Sequence, residues 1–141
     1  MKRPTCILHM MMLGMFILLA VGIGNAQEES LILKATIPFD FSIGKQSFSA
    51  GEYSLKPSVQ HTMLLRNDRG QVLTSIATNS VESSGAALST KLVFNGYSGR
   101  YFLAQVWQEG NNRGQQVIKS PVEIEIARNP PGLTAVSFVT H

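Results

Sequence analysis

The residues of this chain that could do acid–base chemistry are few and far apart. After position 26 the only histidines are His61 and the terminal His141. A histidine acts as a general base when a nucleophile lies within hydrogen-bonding distance and a third group orients the ring. Asp40 and Asp68 are the carboxylates available to orient His61. A hydrolase using His61 with Asp40 or Asp68 is one hypothesis; the simpler interpretation is that His61 is a partly exposed residue at a strand end.

Two other patterns resemble catalytic motifs without completing them. The stretch GYSGR places a serine between glycines, but a nucleophile elbow needs glycine two places after the serine, and Arg100 stands there. Glu123 and Glu125 could act together only on a strand, because residues two apart on a helix point roughly 200° apart.

The sequence also contains no recognisable set of metal ligands. Its histidines are far apart, it has no cysteine after Cys6, and it has no loop rich in aspartate. The sequence therefore predicts no catalytic residue, no metal site and no cofactor.

Aromatic residues in the centre of the chain are the best candidates for contacting a ligand. Tyrosine and tryptophan combine a flat apolar surface with a polar tip, so they can stack on sugars or apolar molecules. In an unbroken strand every second residue from Tyr101 to Trp107 shares one face, although roughly 20 Å separates its two ends. The candidate ligand-binding residues are Tyr97, Tyr101, Gln105 and Trp107. The competing interpretation is that Tyr101 packs in the core beside Phe94 and that Trp107 lies near the strand end.

The first 26 residues have the composition of a secretory signal peptide. Two basic residues precede an unbroken apolar run (10–24), and small residues occupy the −3 and −1 positions of a cleavage site ending at Ala26. We expect cleavage between Ala26 and Gln27. An uncleaved anchor helix is the alternative, although the run is shorter than the ~20 residues that span a bilayer. The protein is then exported, to the periplasm or the cell exterior, with no membrane span after cleavage.

The chain beyond position 26 has the size and charge of one globular domain (27–141). It lacks cysteine, because the only cysteine is Cys6. A chain of this length buries roughly two thirds of its unfolded surface, so an apolar core can stabilise it without disulfides. Its ten basic and nine acidic residues form no basic cluster, which excludes nucleic acid as a partner. The partners we expect are an envelope protein, a polymer or a small ligand.

Alternating apolar residues predict that the domain is built from β-strands. The apolar positions from Leu33 to Ile43 follow a period of two, which is typical of a strand with one buried face. Pro38 has no amide hydrogen to donate, so this strand is expected at a sheet edge or bent near Pro38. Asp40 and Ser42 are then expected to face water.

Two hairpins follow, each with turn-forming residues at its centre. In the first, the turn NDRG follows Arg66, which is predicted to pair with Gln71; a bulge at Gly70 would shift the pairing by one residue. In the second, the turn NGYSG places Asn95 opposite Arg100, and both faces near the turn are apolar. A hairpin buried on both faces is expected at the centre of its sheet.

The segment SPVEIEIARN (120–129) fits either a helix or a strand. Ser120, Pro121 and Glu123 suit the cap, the first residue and the capping-box position of a helix, whereas its apolar residues alternate as in a strand. We predict one or two helical turns, then a break at NPPG and a last strand at LTAVSFV. The predicted fold is all-β: a single antiparallel sandwich or partly open barrel of about seven or eight strands, with one short C-terminal helix.

Three stretches of the chain resemble a family of small exported bacterial β-proteins. They are IPFDFSIG (37–44), SAGEYSL (49–55) and KLVFNGYSGRYFLAQVWQEGNNRG (91–114), which match the family's PFDF…AGxY opening and LVF…YFLxxxW centre. The resemblance covers about 37–119. Members are generally uncharacterised, so it implies an exported, mostly β domain and no activity. The stretch SPVEIEIARN departs from the more charged, helical segment of the family.

Because no catalytic set is complete, the sequence favours an exported, non-catalytic β module with a binding or structural role in the cell envelope. The alternative is a carrier of a small apolar ligand. Its interior cavity would be lined by Phe39, Phe41, Tyr101 and Phe102. A cavity above ~300 Å³ would favour the carrier, and a filled core would oppose it.

Overall fold

The structure, a computed structural model, describes residues 32–128 and 133–139. The predicted signal peptide, its cleavage site, the NPPG break and His141 lie outside those ranges. Within them the chain forms ten strands and one helix. These are β1 (Leu33–Ile37), β2 (Phe41–Ile43), β3 (Gln46–Phe48), β4 (Gly51–Pro57), β5 (Thr62–Asn67), β6 (Val72–Glu82), β7 (Lys91–Tyr97), β8 (Arg100–Trp107), β9 (Arg113–Val117), α1 (Pro121–Arg128) and β10 (Leu133–Val139). The described part of the chain is mostly β with one short helix, as predicted, and it contains ten strands where seven or eight were expected.

The ten strands form one open, mixed sheet. The order along its main path is β1-β4-β5-β6-β9-β8-β2-β3, and β7 pairs with β8 and β10. All pairs are antiparallel except β2 and β8, which run parallel. Strand β6 joins two parts of the sheet, because it pairs with β5 up to Ala77 and with β9 from Thr78 onwards. We call β1, β4, β5 and the beginning of β6 the first half, and the remaining strands with the end of β6 the second half.

One apolar core contains buried side chains from both halves of the sheet. Its members are Leu33, Ala35, Ile37, Leu55, Met63, Leu65 and Ile76 from the first half, and Phe41, Ile43, Leu92, Phe94, Leu103, Val106 and Val117 from the second. Burying a large aliphatic or aromatic side chain contributes roughly 1.5–3 kcal/mol. The core is therefore the main stabilising element of a domain without cysteine.

The alternating stretch 33–43 forms two strands and not one. Strand β1 pairs with β4 in the first half of the sheet, whereas β2 pairs with β3 and β8 in the second half. The break begins at Pro38, which cannot donate a ladder hydrogen bond. The stretch was expected to lie at a sheet edge or to bend near Pro38, and it does both. Strand β1 is an edge strand of the sheet, and the chain bends directly after it.

The two polar residues near this break have different environments. Asp40 is exposed, as predicted, and its Oδ1 accepts a hydrogen bond from the backbone amide of Ala50 at 2.9 Å. The prediction that Ser42 faces water is wrong. Ser42 is buried, with Ser47 of β3 and Phe102 of β8 beside it in the sheet, and its Oγ is 3.2 Å from Oγ of Ser47.

The β5–β6 hairpin turns where the sequence predicts, with the register of the bulged alternative. Arg66 pairs with Val72 and not with Gln71, which is the one-residue shift expected from a bulge at Gly70, and Gly70 has the left-handed φ of 78° that such a bulge requires. A second bulge, at Leu73, shifts the remaining pairs by one further residue. Asn67 lies opposite Gln71 instead: its amide donates to the Gln71 carbonyl at 3.0 Å, and its Oδ1 accepts from the Gln71 amide at 2.9 Å.

The β7–β8 hairpin is central, as predicted, since β8 also pairs with β2 and β9 and β7 also pairs with β10. Its register is again different. The tight turn is Ser98–Gly99, so Arg100 pairs with Tyr97 and not with Asn95. Both turn residues have positive φ, 50° and 81°, which is typical of the two-residue turns that match strand twist. A shift of two residues leaves each side chain near the turn on the same face of the hairpin.

Helix α1 confirms the helical interpretation of the C-terminal segment. The Oγ of Ser120 accepts a hydrogen bond from the amide of Glu123 at 3.1 Å, which caps the first turn. The Glu123 side chain does not complete a capping box. It is buried, and its Oε1 accepts from Nδ2 of Asn95 at 3.1 Å and from the hydroxyl of Tyr97 at 3.4 Å. Within the described residues, no helix has the length and apolar composition needed to cross a bilayer.

Candidate binding site

The predicted ligand-binding residues lie on opposite faces of the β7–β8 hairpin. The register of β8 shifts at Ala104, which is an extra residue in the ladder. A bulge of this kind reverses the faces of the residues that follow it. Tyr101 therefore stays on the core face, while Gln105 and Trp107 lie on the other face together with Tyr97. The prediction that residues from Tyr101 to Trp107 share one face is wrong.

Three of these residues, Tyr97, Gln105 and Trp107, already use their polar atoms within the protein. Trp107 Nε1 donates a hydrogen bond to Oε1 of Gln105 at 3.0 Å. The hydroxyl of Tyr97 points to the buried Glu123 carboxylate, and Tyr101 is half-buried against the core. The structure brings Gln105 and Trp107 together, but it does not assemble the four residues into one site.

The four aromatic residues expected around an interior cavity do not line one. Phe39 and Phe41 both contact the ring of Phe94, at centroid distances of 5.1 and 5.7 Å. Phe39 also packs against Tyr101 at 4.4 Å. Phe102 lies on the opposite face of the hairpin, 6.0 Å from the ring of Tyr97. The space proposed for a ligand is therefore filled by aromatic packing.

His61 is not joined to either aspartate considered for a hydrolase. His61 immediately precedes β5 and Asp68 immediately follows it, so the strand separates them by roughly 20 Å. Asp40 is bonded to a backbone amide elsewhere. In the described ranges the one salt bridge joins Arg113 Nε to Glu82 Oε1 at 3.0 Å.

Carboxylates and histidines also form no larger cluster in this part of the chain. Among residues 32–128 and 133–139, no three His, Cys, Asp or Glu side chains are grouped so that they could hold a metal ion. Glu123 is buried beneath the helix, while Glu125 is exposed. The two glutamates therefore do not face a common substrate.

A cleft of about 430 Å³ opens where β6 passes from the first half of the sheet to the second. We call it the seam cleft. Its floor is formed by the core side chains Leu33, Leu55, Met63 and Val106, and its wall contains Ser58, His61, Thr62, Thr78, Ser80, Gln108, Asn111, Arg113 and Gln115. An apolar floor with a few convergent polar groups is the usual construction of a ligand-binding site.

Thr78 is the buried polar residue of the seam cleft, with only 2% of its surface exposed. Its amide donates a hydrogen bond to the carbonyl oxygen of His61 at 2.8 Å. Its Oγ1 lies 3.0 Å from the same carbonyl and 2.9 Å from Oε1 of Gln115. Thr78 therefore connects the loop before β5 with strand β9 across the seam.

The loop that carries His61 has an unusual backbone. Gln60 and His61 both have left-handed conformations, with φ of 45° and 57°. This region costs roughly 1–2 kcal/mol for each residue other than glycine, so the surrounding contacts must maintain it. The amide of Ser58 donates to the carbonyl of Thr62 at 2.8 Å, and Thr78 holds His61 from the other side. These contacts place the exposed His61 side chain on the rim of the cleft.

The wall of the seam cleft is rich in hydrogen-bond donors and lacks carboxylates. No acidic residue is among the described residues that line it. Arg113 uses its Nε to bind Glu82, which lies outside the lining. Its two terminal NH₂ groups have no hydrogen-bond partner in the described part of the chain. The cleft therefore suits a ligand that accepts hydrogen bonds.

A second depression, of about 770 Å³, lies along the outer faces of β1, β4 and β5. The sheet register places Lys34, Ser54 and Arg66 side by side across these strands. Glu52 and Asp68 line the same depression, so charges of both signs would act on any ionic ligand. The seam cleft has the more consistent chemistry.

Sequence reasoning identified only His61 among the residues of the seam cleft. Thr78, Arg113 and Gln115 come from strands far apart in the sequence, and only their pairing brings them together. One local signal was present. Thr78 occupies the same alternating face as the core residue Ile76, and a polar residue on a buried face needs a hydrogen-bond partner.

Comparison with known proteins adds no family to this description. No protein-family model matches the chain, no curated protein matches it, and no solved structure matches it. The resemblance to small exported bacterial β-proteins stays a prediction.

Proposed function

We propose that the protein is an exported, non-catalytic β module of the cell envelope that binds a small ligand in the seam cleft. The observation that carries the proposal is the construction of the cleft: an apolar floor, a donor-rich wall and the buried hydroxyl of Thr78. In the described structure no hydrogen bond joins the His61 ring to a serine, a threonine or a carboxylate. The proposal retains the idea of a ligand carrier but moves the ligand from the aromatic core to the seam.

The proposal extends to the shape of the sheet around the cleft. We propose a sandwich or partly open barrel, in which the two halves of the sheet face each other across the core. Two observations support this arrangement. Buried side chains of both halves belong to one cluster, and β6 takes part in both halves.

Export is tested by determining the N-terminus of the protein after expression in a bacterial host. We expect the protein in the exported fraction, with Gln27 as its first residue. A long basic side chain does not fit the small-residue position before the cut, so Ala26→Arg should leave the chain uncleaved. Recovery of uncleaved wild-type protein inside the cell would contradict this part of the proposal.

Binding in the seam cleft is tested by blocking it with a bulky side chain. Ser80 lines the cleft, whereas its neighbour Asn79 on β6 does not. Wild-type protein, Ser80→Phe and the matched control Asn79→Phe are screened by thermal unfolding with small carboxylates, amides and saccharides. A ligand at 100 times its Kd stabilises the native state by about 2.7 kcal/mol, so the midpoint should rise in wild type and Asn79→Phe but not in Ser80→Phe. Equal shifts in all three proteins, or no shift with any compound, would contradict binding in the cleft.

The hydrolase alternative is tested on the same compounds. After prolonged incubation with the protein, a bound compound should be recovered with its mass unchanged. Formation of a cleavage product by wild-type protein, and its loss in His61→Ala, would show that the protein is an enzyme and would overturn the non-catalytic part of the proposal.

A further inference from the structure

We infer that the ligand of the seam cleft is an aliphatic monocarboxylate, with its carboxylate at Arg113 and its chain on the apolar floor. This inference rests on the proposed function, since it names the ligand class of the same cleft. It follows from three properties of the described lining: the available donors, the absence of carboxylates and the absence of Phe, Tyr and Trp side chains.

The carboxylate end is placed by Arg113. A guanidinium group has five N–H donors in a rigid fork that matches the two oxygens of a carboxylate. Arg113 uses Nε for Glu82 at 3.0 Å and keeps its two terminal NH₂ groups without a partner in the described structure. The pair with Glu82 is exposed, with about two thirds of each side chain accessible, so water and salt screen it. Glu82 thus orients the guanidinium without preventing a second carboxylate from binding.

The remaining wall residues favour a ligand that accepts hydrogen bonds over a cationic ligand. The rim carries the His61 ring, and around it lie the hydroxyls of Ser58 and Ser80 and the amides of Gln108 and Asn111. All of these groups can donate hydrogen bonds. Because no carboxylate lines the cleft, nothing in the described lining would compensate a cationic ligand.

The floor distinguishes an aliphatic chain from a saccharide. The floor residues Leu33, Leu55, Met63 and Val106 present only aliphatic and thioether surface, and no Phe, Tyr or Trp is among the described lining residues. Sugar rings are usually held against aromatic faces, which supply flat apolar area. The thioether of Met63 adapts to a flexible chain. An alkyl chain is therefore the apolar part that this floor fits best.

The experiment is isothermal titration calorimetry of the purified protein with butanoate, hexanoate, octanoate and decanoate below their micelle concentrations. Each buried methylene should strengthen binding about fourfold, until the chain exceeds the length of the cleft. Octanamide and 1-octanol serve as neutral probes of equal chain length. We expect octanoate to bind at least about tenfold more tightly than octanamide, because hydrogen bonds to charged groups are the stronger ones.

Matched variants locate the head group. Arg113→Gln should reduce octanoate binding to the level of octanamide, and unchanged octanamide binding by this variant would show that the cleft is intact. Glu82→Gln removes the competing carboxylate and should preserve or strengthen octanoate binding. An Arg113→Gln protein that retains the preference for the carboxylate would overturn the inference.

The outcomes separate this inference from the proposed function. If octanoate fails to bind but another compound binds in a manner sensitive to Ser80→Phe, the cleft is a binding site and the ligand class is wrong. If octanoate binds wild type and Ser80→Phe equally, it adsorbs outside the cleft and the inference fails. If no probe or library compound binds, both proposals fail.

Discussion

The hydroxyl of Thr78 and the carbonyl oxygen of His61 lie 3.0 Å apart, and the amide of Thr78 donates to the same oxygen at 2.8 Å. This double contact occurs at the first residue of β6 that pairs with β9 rather than β5. A single residue therefore fixes the left-handed loop before β5 at the point where the two halves of the sheet meet. Both residues line the seam cleft, so this connection forms part of its wall.

Thr78→Val should lower the free energy of unfolding by about 1–2 kcal/mol. Valine has nearly the same volume but removes the hydroxyl, which leaves the buried partners of Thr78 less satisfied. Urea unfolding monitored by circular dichroism measures the change. The control is Thr74→Val on the same strand, since the Thr74 side chain makes no hydrogen bond in the described structure. Equal losses in the two variants would show that the hydroxyl contact does not stabilise the loop.

Glu123→Ala should destabilise the protein by about 1–3 kcal/mol, because it leaves Nδ2 of Asn95 and the hydroxyl of Tyr97 without their buried acceptor. Glu123→Gln keeps the acceptor oxygen and should cost less. The matched control is Glu125→Ala on the same helix, whose side chain is exposed and whose loss should stay within about 0.5 kcal/mol. If Glu123→Ala and Glu125→Ala unfold at the same urea concentration, the buried carboxylate does not hold the helix to the sheet.

Gly114→Ala should disturb the environment of Trp107. A Cβ at Gly114 would lie 2.7 Å from two carbons of the Trp107 ring, closer than atoms in contact allow, so the buried ring must move. Overpacking of this kind costs roughly 1–3 kcal/mol. Trp107 is the only tryptophan of the chain, so its fluorescence reports the displacement directly.

The control for this change is Gly85→Ala, where no heavy atom lies within 4 Å of the added carbon. That variant should keep both the emission spectrum and the stability of the wild type. An unchanged spectrum in Gly114→Ala would show that the ring does not rest against the glycine.

The stability of the protein should decrease as the pH rises above 10. Burial, and then the negative charge of Asp40, raise the pKa of Tyr53 above its ordinary value of 10.0. Above that pH the unfolded state releases the tyrosine proton first, while the folded state still holds it. The stabilising contribution is therefore complete below pH 10 and is lost as the pH rises through the folded pKa.

Two variants identify the origin of this pH dependence. Tyr53→Phe should remove the contribution of this group to the alkaline decrease, and Asp40→Asn should lower the pKa of Tyr53 by removing the second cause. Ultraviolet titration of tyrosinate and urea unfolding on both sides of pH 10 measure the two effects. A Tyr53→Phe protein whose stability falls with pH as steeply as wild type would contradict the assignment.

Local patterns in the sequence determined the strands, the turns and the helix cap. The period-two alternation of 33–37 and the turn chemistry around Asn67 act over a few residues, so they can be interpreted without knowledge of the fold. The same holds for Ser120, whose hydroxyl bonds an amide three residues later. For this reason the central hairpin, the short helix and the last strand were predicted in the correct places.

Tertiary pairing decided the strand partners, the bulges inside strands, the faces after them and the candidate site. The bulges at Leu73 and Ala104 lie inside strands, and the residue types at these two positions do not indicate an extra residue in the ladder. The bulge at Ala104 separates Tyr101 from Trp107, and the change of partner along β6 places Thr78 beside Gln115. The alternation of apolar residues along one strand is a local property, whereas the identity of the neighbouring strand depends on the packing of the whole sheet.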